Sequence, residues 1–277
     1  MKLAVLADIH ANYVALQAVV AHIDQWQPDL VIVAGDIVNR GPRPVECLAL
    51  VQQRRQTDGW LVVRGNHEDY VIGHSKPDAI RSGPEFEIYR SSYWTYRKLG
   101  CDVGVLEAMP FKLELALEGM VRVTHASMRH IRDGIYKTTP EDVLREQIGQ
   151  SPPVLFCMGH THQPFIRTLN ETLVVNVGAA GMPFDGDWHP SYAQLEWRGG
   201  QWHAEIIRLS YDRRAAERDF ELSGFLDEGG PLAHLMLREL QIAQGQLHSW
   251  IHQFEKAVLA GETTMEASVR NFLTQSA

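Results

Sequence analysis

Thiols, positive charge and long apolar runs are all scarce in this sequence, and each scarcity removes a class of protein. Its 277 residues include three cysteines, Cys47, Cys101 and Cys157, far apart and without Cys-x-x-Cys spacing. Such spacing excludes a disulfide framework or a thiolate metal site and fits a reducing compartment. The formal net charge is −8 and the isoelectric point near 5.9, so the basic footprint of a stable nucleic-acid binder is missing. Any phosphate site must therefore be local. No apolar run approaches the ~20 residues that span a bilayer, and Met1-Lys2 leads too quickly to Asp8 for a secretion leader. A cytoplasmic protein without membrane contact is expected. Repeats and low-complexity tracts are absent as well, while a hydrophobic content of 45% is ample for one large domain with an appendage.

What the sequence does have is a series of acids, amides and imidazoles where apolar runs stop. Val31 to Ala34 reads as a strand buried on both faces, as in a parallel sheet, and it ends in Gly35-Asp36. Lys2 to Ala7 ends in Asp8-Ile9-His10, and Trp60 to Val63 ends in Arg64-Gly65-Asn66-His67-Glu68. Helices from about Asn12 to Trp26 and from Val45 to Gln56 connect these strands, and right-handed crossovers set their ends side by side. That carboxyl edge is where open α/β sheets bind ligands. Cys47 falls on the apolar face of the second helix and is assigned to the core. Residues 72–100 read as a cap whose Tyr89, Tyr93, Trp94 and Tyr96 either pack into their own core or stack on a nucleobase, packing being the simpler use of such rings. Phe111 to Leu117 and Met120 to Thr124 form a hairpin leading to His125, and Val154 to Met158 leads to Gly159-His160-Thr161-His162. Strands Phe165 to Leu169, Leu173 to Val177, Tyr192 to Trp197 and His203 to Leu209 read as an antiparallel second layer.

Taken singly, each polar terminus has an ordinary use: Asn66 as a helix cap, His125 as a satisfied core histidine. Together the strand ends deliver oxygen and nitrogen donors suited to divalent Mn, Fe, Zn or Co. A donor set without thiolate favours an open hydrolytic centre over a closed structural zinc site. There are more donors than one ion uses, so two ions sharing a carboxylate is the economical arrangement.

The blocks Asp8-x-His10, Gly35-Asp36-(x)4-Gly41, Gly65-Asn66-His67-Glu68, His125 and Gly159-His160-x-His162 stand in this order and resemble the calcineurin-like metallophosphoesterase superfamily over about residues 1–210. The run from Gly35 to Cys47, with Asn176-Val177-Gly178 continuing to Asp185-Gly186-Asp187, is most similar to the bacterial and archaeal phosphodiesterase and diadenosine-tetraphosphatase-like branch. The resemblance implies a four-layer α/β/β/α sandwich of two mixed sheets with a dinuclear centre at the strand ends. It implies that Asp8, His10, Asp36 and His162 hold one metal and Asp36, Asn66, His125 and His160 the other, Asp36 bridging. His67 would protonate the leaving oxygen or stabilise the transition state, opposite a metal-bridging hydroxide attacking in line. Manganese or iron is expected before zinc, cobalt, nickel or magnesium. The implied substrate is a small phosphodiester, phosphomonoester or dinucleoside polyphosphate, nucleotides among them. The alternatives are a serine/threonine-type phosphoprotein phosphatase and a non-catalytic scaffold of the same fold.

Arg40 and Arg64 resemble the arginines flanking two of these blocks in serine/threonine phosphatases, where the first grips phosphate. Those enzymes have Asp immediately before that arginine, paired with the catalytic histidine, whereas here the position is Asn39. Another carboxylate is then needed to orient His67, or its charge is less supported. His130 and His189, a few residues beyond their blocks, are expected at the pocket border as substrate-binding candidates. After Ser210 the resemblance ends, leaving residues 211–277 as a C-terminal helical extension. Gly229-Gly230-Pro231 breaks the chain before an amphipathic stripe, Leu232, Met236, Leu240, Ala243, Leu247, Ile251, Phe254 and Val258. Its period opposes a heptad coil and leaves self-packing and a homodimer contact open.

Overall fold

Alternation along the first strand sets the layering. Successive strand side chains point to opposite faces, and in the computed structural model, which describes residues 1–275, β1 (Lys2–Leu6) is covered on both. Ala4 and Leu6 share a cluster with Leu16, Ile23 and Val51 of the helices Tyr13–Trp26 and Pro44–Asp58. Leu3 and Val5 enter a different cluster with Ile32, Val121, Leu155 and Val175. Each leucine, isoleucine or valine among them, fully buried, contributes ~1.5–3 kcal/mol.

Strands β2 (Leu30–Val33) and β3 (Leu61–Val62) run parallel to this first strand, Val5 lying opposite Ile32. β4 (Lys112–Ala116) and β5 (Met120–Thr124) form the expected hairpin. β6 (Leu155–Met158) follows, then the hairpin of β7 (Phe165–Leu169) and β8 (Thr172–Asn176). β9 (Ser191–Arg198) and β10 (Gln201–Arg208) turn through Gly199 and Gly200, at φ 60° and 79°, the left-handed pair a tight hairpin requires. The sheet orders are β10-β9-β1-β2-β3 and β4-β5-β6-β8-β7. Helix Glu141–Ile148 covers the outer face of the second sheet through Leu144 and Ile148, which pack with Phe156, Met158 and Val174. The result is the four-layer α/β/β/α arrangement of two mixed sheets.

One expectation is corrected. β9 and β10 do not join the second layer; β9 returns to pair antiparallel with β1, Leu3 opposite Leu195. Parallel crossovers leave one edge of β1 free, and a buried strand edge needs hydrogen-bond partners. The second sheet is also not purely antiparallel, because β5, β6 and β8 run parallel.

The C-terminal stripe is not one helix. It divides at Ala243, which adopts a left-handed φ of 52°, into helix Leu232–Ile242 and a second helical stretch, residues 247–259. That second stretch contains a π-helical turn at Ile251–Glu255. Self-packing accounts for the apolar face: Phe220, Phe225, Met236, Trp250 and Phe272 form one cluster with Trp94 and Met182 of the main domain. Trp94 donates from Nε1 to Glu228 Oε2 (3.0 Å) and Trp250 to Ser268 Oγ (3.2 Å), satisfying both buried indoles. Deleting residues from Pro231 onward should therefore lower the melting temperature and expose this cluster, measured by differential scanning calorimetry and dye binding; an unchanged melt would mean the extension is independent. Among the described residues, no helix is long and apolar enough to cross a membrane.

Candidate metal centre

The ends of β1 and β2 continue side by side beyond the sheet. Asp8 and His10 donate backbone N–H bonds to Gly35 O (3.1 Å) and Asp36 O (3.0 Å), which holds the two acidic loops in register. This geometry is strained: Asp8, His10, Asp36, Asn39, Arg40, His160 and His162 all have φ between 47° and 68°. Left-handed non-glycine residues persist only where their surroundings over-determine them, and such strain clusters at functional sites. Close approach explains two glycines. A Cβ on Gly65 would lie 2.0 Å from Asp36 Oδ1, and one on Gly159 would lie 2.3 Å from Asp8 Oδ2.

Hydrogen bonds fix which ring nitrogens point inward. His125 Nδ1 lies 2.9 Å from Ala34 O and His162 Nδ1 contacts Met182 O. A carbonyl only accepts, so both Nδ1 atoms carry protons and each ring turns its Nε2 toward the centre, a lone pair there whenever the ring is neutral. His125 Nε2 then lies 3.0 Å from Asn66 Oδ1, 3.2 Å from Asp36 Oδ2 and 3.2 Å from His160 Nδ1. His162 Nε2 lies 3.1 Å from His10 Nε2 and 3.4 Å from Asp8 Oδ1. His10 Nε2 is 3.7 Å from Asp36 Oδ2, so the one oxygen faces both groups. Asp8 Oδ1 and His10 Nδ1 are buried without a partner among the described residues. Acceptors converging at ~3 Å repel one another unless a proton or cation lies between them. The donor set fits one or more divalent ions, and overlapping groups of Asp8, His10 and His162 and of Asp8, Asp36 and His125 could hold them.

Electrostatics agree with a site built for positive charge. Burial and His162 hold His10 well below the usual imidazole range; burial and Arg40 do the same to His162. His160 falls to about 4 through burial and His125. Against its burial, His125 is raised to about 10 by Asp36, the proton standing where a cation would. Asp36, which burial alone would push up, is held well below the carboxylate range by His125 and His67.

Glu68, quoted in a sequence block but given no role there, organises this centre from beneath. It is fully buried. Its Oε2 accepts from Asp36 N and Gly65 N (both 2.8 Å), and its Oε1 from Ile37 N (2.8 Å) and Val38 N (3.1 Å). Burial and Asp36 raise Glu68 to about 7, while the N–H donors of Val38, Gly65 and Asp36 pull the other way. Among the described residues, no carboxylate hydrogen-bonds the His67 ring. Its Nδ1 is 2.9 Å from Asn39 Nδ2, whose own Oδ1 accepts from Arg40 N (2.9 Å). The amide therefore donates to Nδ1, leaves the His67 proton on Nε2, and gives an imidazolium no counter-charge. Burial and Arg40, against Asp36, lower His67 to about 3.

A cavity of about 340 Å³ opens over the centre, within the ~300–1,000 Å³ range of small-molecule sites. Asp36, Asn66, His67, His160 and His162 line its floor, and Arg40 stands at its side. Tyr70 meets His67 edge-on at 5.1 Å, and Tyr89 also lines the cavity, whereas Trp94 is spent on the contact with Phe225 at 4.8 Å. Three sequence expectations do not reach it. Arg64 pairs with Asp69 (2.9 Å), exposed His130 accepts from Arg132 N (3.1 Å), and His189 is held by Asp187 (2.6 Å) while stacking on Trp188. Phe184, stacked on His162 at 4.1 Å, and Glu239, paired with Arg40, are cavity residues that no local sequence signal revealed.

Comparison with known proteins follows the same outline. Residues 1–200 match the family model described as the calcineurin-like phosphoesterase superfamily domain. The uncharacterized protein MJ0912 of Methanocaldococcus jannaschii is 28% identical over 233 residues, 77% of this chain and 89% of that one. The crystal structure of a metallophosphoesterase from Sphaerobacter thermophilus superposes with a TM-score of 0.70 at 28% identity, covering 88% of this chain and 100% of the other. The hypothetical protein PH1004 from Pyrococcus horikoshii shares the fold, with a TM-score of 0.70 at 19% identity over 84% of this chain and 97% of its own.

Proposed function

The chain belongs to the calcineurin-like phosphoesterase superfamily and is a metal-dependent phosphoesterase, and on that premise we propose that it hydrolyses small phosphate esters at a dinuclear centre. Asp8, His10, Asp36 and His162 would hold one divalent ion, and Asp36, Asn66, His125 and His160 a second, with manganese or iron the expected pair. The observation carrying this reading is the convergence of imidazole nitrogens on both sides of Asp36 Oδ2. When bound, such ions polarise a phosphoryl group and lower the pKa of a bound water.

The chain's own groups supply the rest. His67 lines the cavity with its Nε2–H available, so as a neutral imidazole oriented by Asn39 it hydrogen-bonds the departing oxygen and stabilises the charge that develops there. Arg40 presents a guanidinium at the cavity wall for a phosphoryl oxygen. The helical walls above the floor favour small esters over a phosphoprotein, whose backbone would have to enter past residues 247–259. Phosphodiesters, phosphomonoesters and dinucleoside polyphosphates remain the substrate classes to compare.

A manganese-supplemented panel of a phosphomonoester, a phosphodiester, diadenosine tetraphosphate and a phosphopeptide, read as kcat/KM, tests the reading; silence on all four would favour the scaffold alternative. His67→Ala should retain bound metal and lose ~10²- to 10³-fold in kcat, the scale of one transition-state hydrogen-bond donor removed. Loss of metal in that variant would instead make His67 a ligand.

A further inference from the structure

The wall of the cavity opposite the sheets comes from the C-terminal extension, which lies outside the residues matched to the family. Its main polar contribution is Glu239, fully buried in helix Leu232–Ile242. Glu239 Oε2 takes Arg40 Nη2, and Oε1 accepts from Gln246 N (2.7 Å) and Leu247 N (2.9 Å) at the start of the next helical stretch. Arg40 is further fixed over the Phe184 ring, 5.3 Å from its centroid. Nη2 is its only hydrogen-bonded guanidinium nitrogen among the described residues, so other N–H groups remain for a ligand oxygen. Glu255, in the π-helical turn, also lines the cavity and has no hydrogen bond or salt bridge among the described residues. π-helical turns of this kind are frequent at functional sites. Beyond Asp36, then, one cation faces two carboxylates, and Arg40 is the sole lysine or arginine among the described lining residues.

We propose that the C-terminal extension makes this phosphoesterase select by charge. Glu239 is a positioning residue that neutralises the charge of Arg40 while leaving it N–H groups to donate, and with Glu255 it favours a monoanionic phosphodiester over a dianionic monoester or a polyphosphate. The inference rests on the hydrolase reading above. The remaining walls, Tyr70, Met236, Leu247 and Ile251, suit an apolar or aromatic ester group. A monoanion needs only the floor of the site and the charge-neutralised Arg40. A second phosphate charge reaching beyond the floor meets the carboxylate of Glu255, with no lysine and no unpaired arginine among the described lining residues to offset it.

The test compares 4-nitrophenyl phosphate with methyl 4-nitrophenyl phosphate, which share a leaving group and differ by one charge, at pH 8 with manganese. Calorimetric Kd values for phenylphosphonate and its monomethyl ester read the same preference without turnover. The parent protein should prefer the monoanion in both assays. Glu239→Gln and Glu255→Gln should each shift the ratio about tenfold toward the dianion, the scale of one unit charge removed near a partly wet site. A merely structural Glu239 would depress both esters equally, and Glu255→Gln tests the charge without touching a packed contact. A parent preference for the dianion, or ratios unmoved in both variants, overturns the inference and leaves the hydrolase reading intact. Should the parent turn over neither ester, it is the hydrolase reading that fails, and the phosphonate titrations still decide the charge preference.

Discussion

Asp36→Asn should release most of the bound metal and lower kcat/KM by about 10³-fold while leaving the fold in place. Asp36 is 1% exposed, its Oδ1 accepts from His67 N (2.9 Å), and its Oδ2 lies between His125 at 3.2 Å and His10 at 3.7 Å. Asparagine fills the same volume and can still accept from the His67 N–H, so no cavity opens and no backbone donor is orphaned. The shared negative charge is what disappears. An ion that polarises phosphate contributes several kcal/mol, and ~4 kcal/mol corresponds to about 10³-fold. Metal content by mass spectrometry, kcat/KM and a thermal melt separate the cases. Two retained ions with full turnover would remove Asp36 from the bridge; a collapsed melt would show that the charge supports folding rather than metal.

The candidate metal ligands that the structure brings together were legible in the sequence because each is local to a strand end. Asp8-x-His10 and Gly35-Asp36 follow apolar runs that become β1 and β2, and parallel pairing brings their loops together. What was not legible depends on partners far apart in the chain. The return of β9 to β1 is set by which edge is left open, not by any property of residues 191–198 themselves. The stripe from Leu232 to Val258 keeps helical spacing across Ala243, so periodicity could not reveal the left-handed residue that divides it. Arg40 illustrates both sides: its motif placed it at the cavity, but Glu239, 199 residues away, takes one of its donors. Arg64 looks equivalent in its motif and is turned aside by Asp69, a neighbour whose pairing spacing alone did not reveal.

Glu68→Gln should be the most destabilising single change at the centre, lowering the melting temperature by roughly 10 °C and reducing metal content with it. The carboxylate accepts four backbone N–H groups from Asp36, Ile37, Val38 and Gly65 and touches neither proposed ion site directly. Glutamine has one acceptor oxygen, so its NH2 must oppose either the Asp36 and Gly65 donors or the Ile37 and Val38 donors. Two buried N–H groups then lack acceptors, at ~1–3 kcal/mol each, and ~1 kcal/mol shifts the melt of a domain this size by about 2–4 °C. The same bonds keep the Asp36 loop in its left-handed geometry, with Asp36 at φ 56°, Asn39 at 68° and Arg40 at 64°. Released, that loop would relax and carry Asp36 away from His125 and His10, so stability and metal should fall together. Asp36→Asn should lose metal alone, which makes the pair of variants diagnostic. A Glu68→Gln protein that melts within ~2 °C of the parent and keeps its metal would show that the loop's strain is borne by its other contacts, the N–H bonds from Asp8, His10 and Ala11 foremost among them.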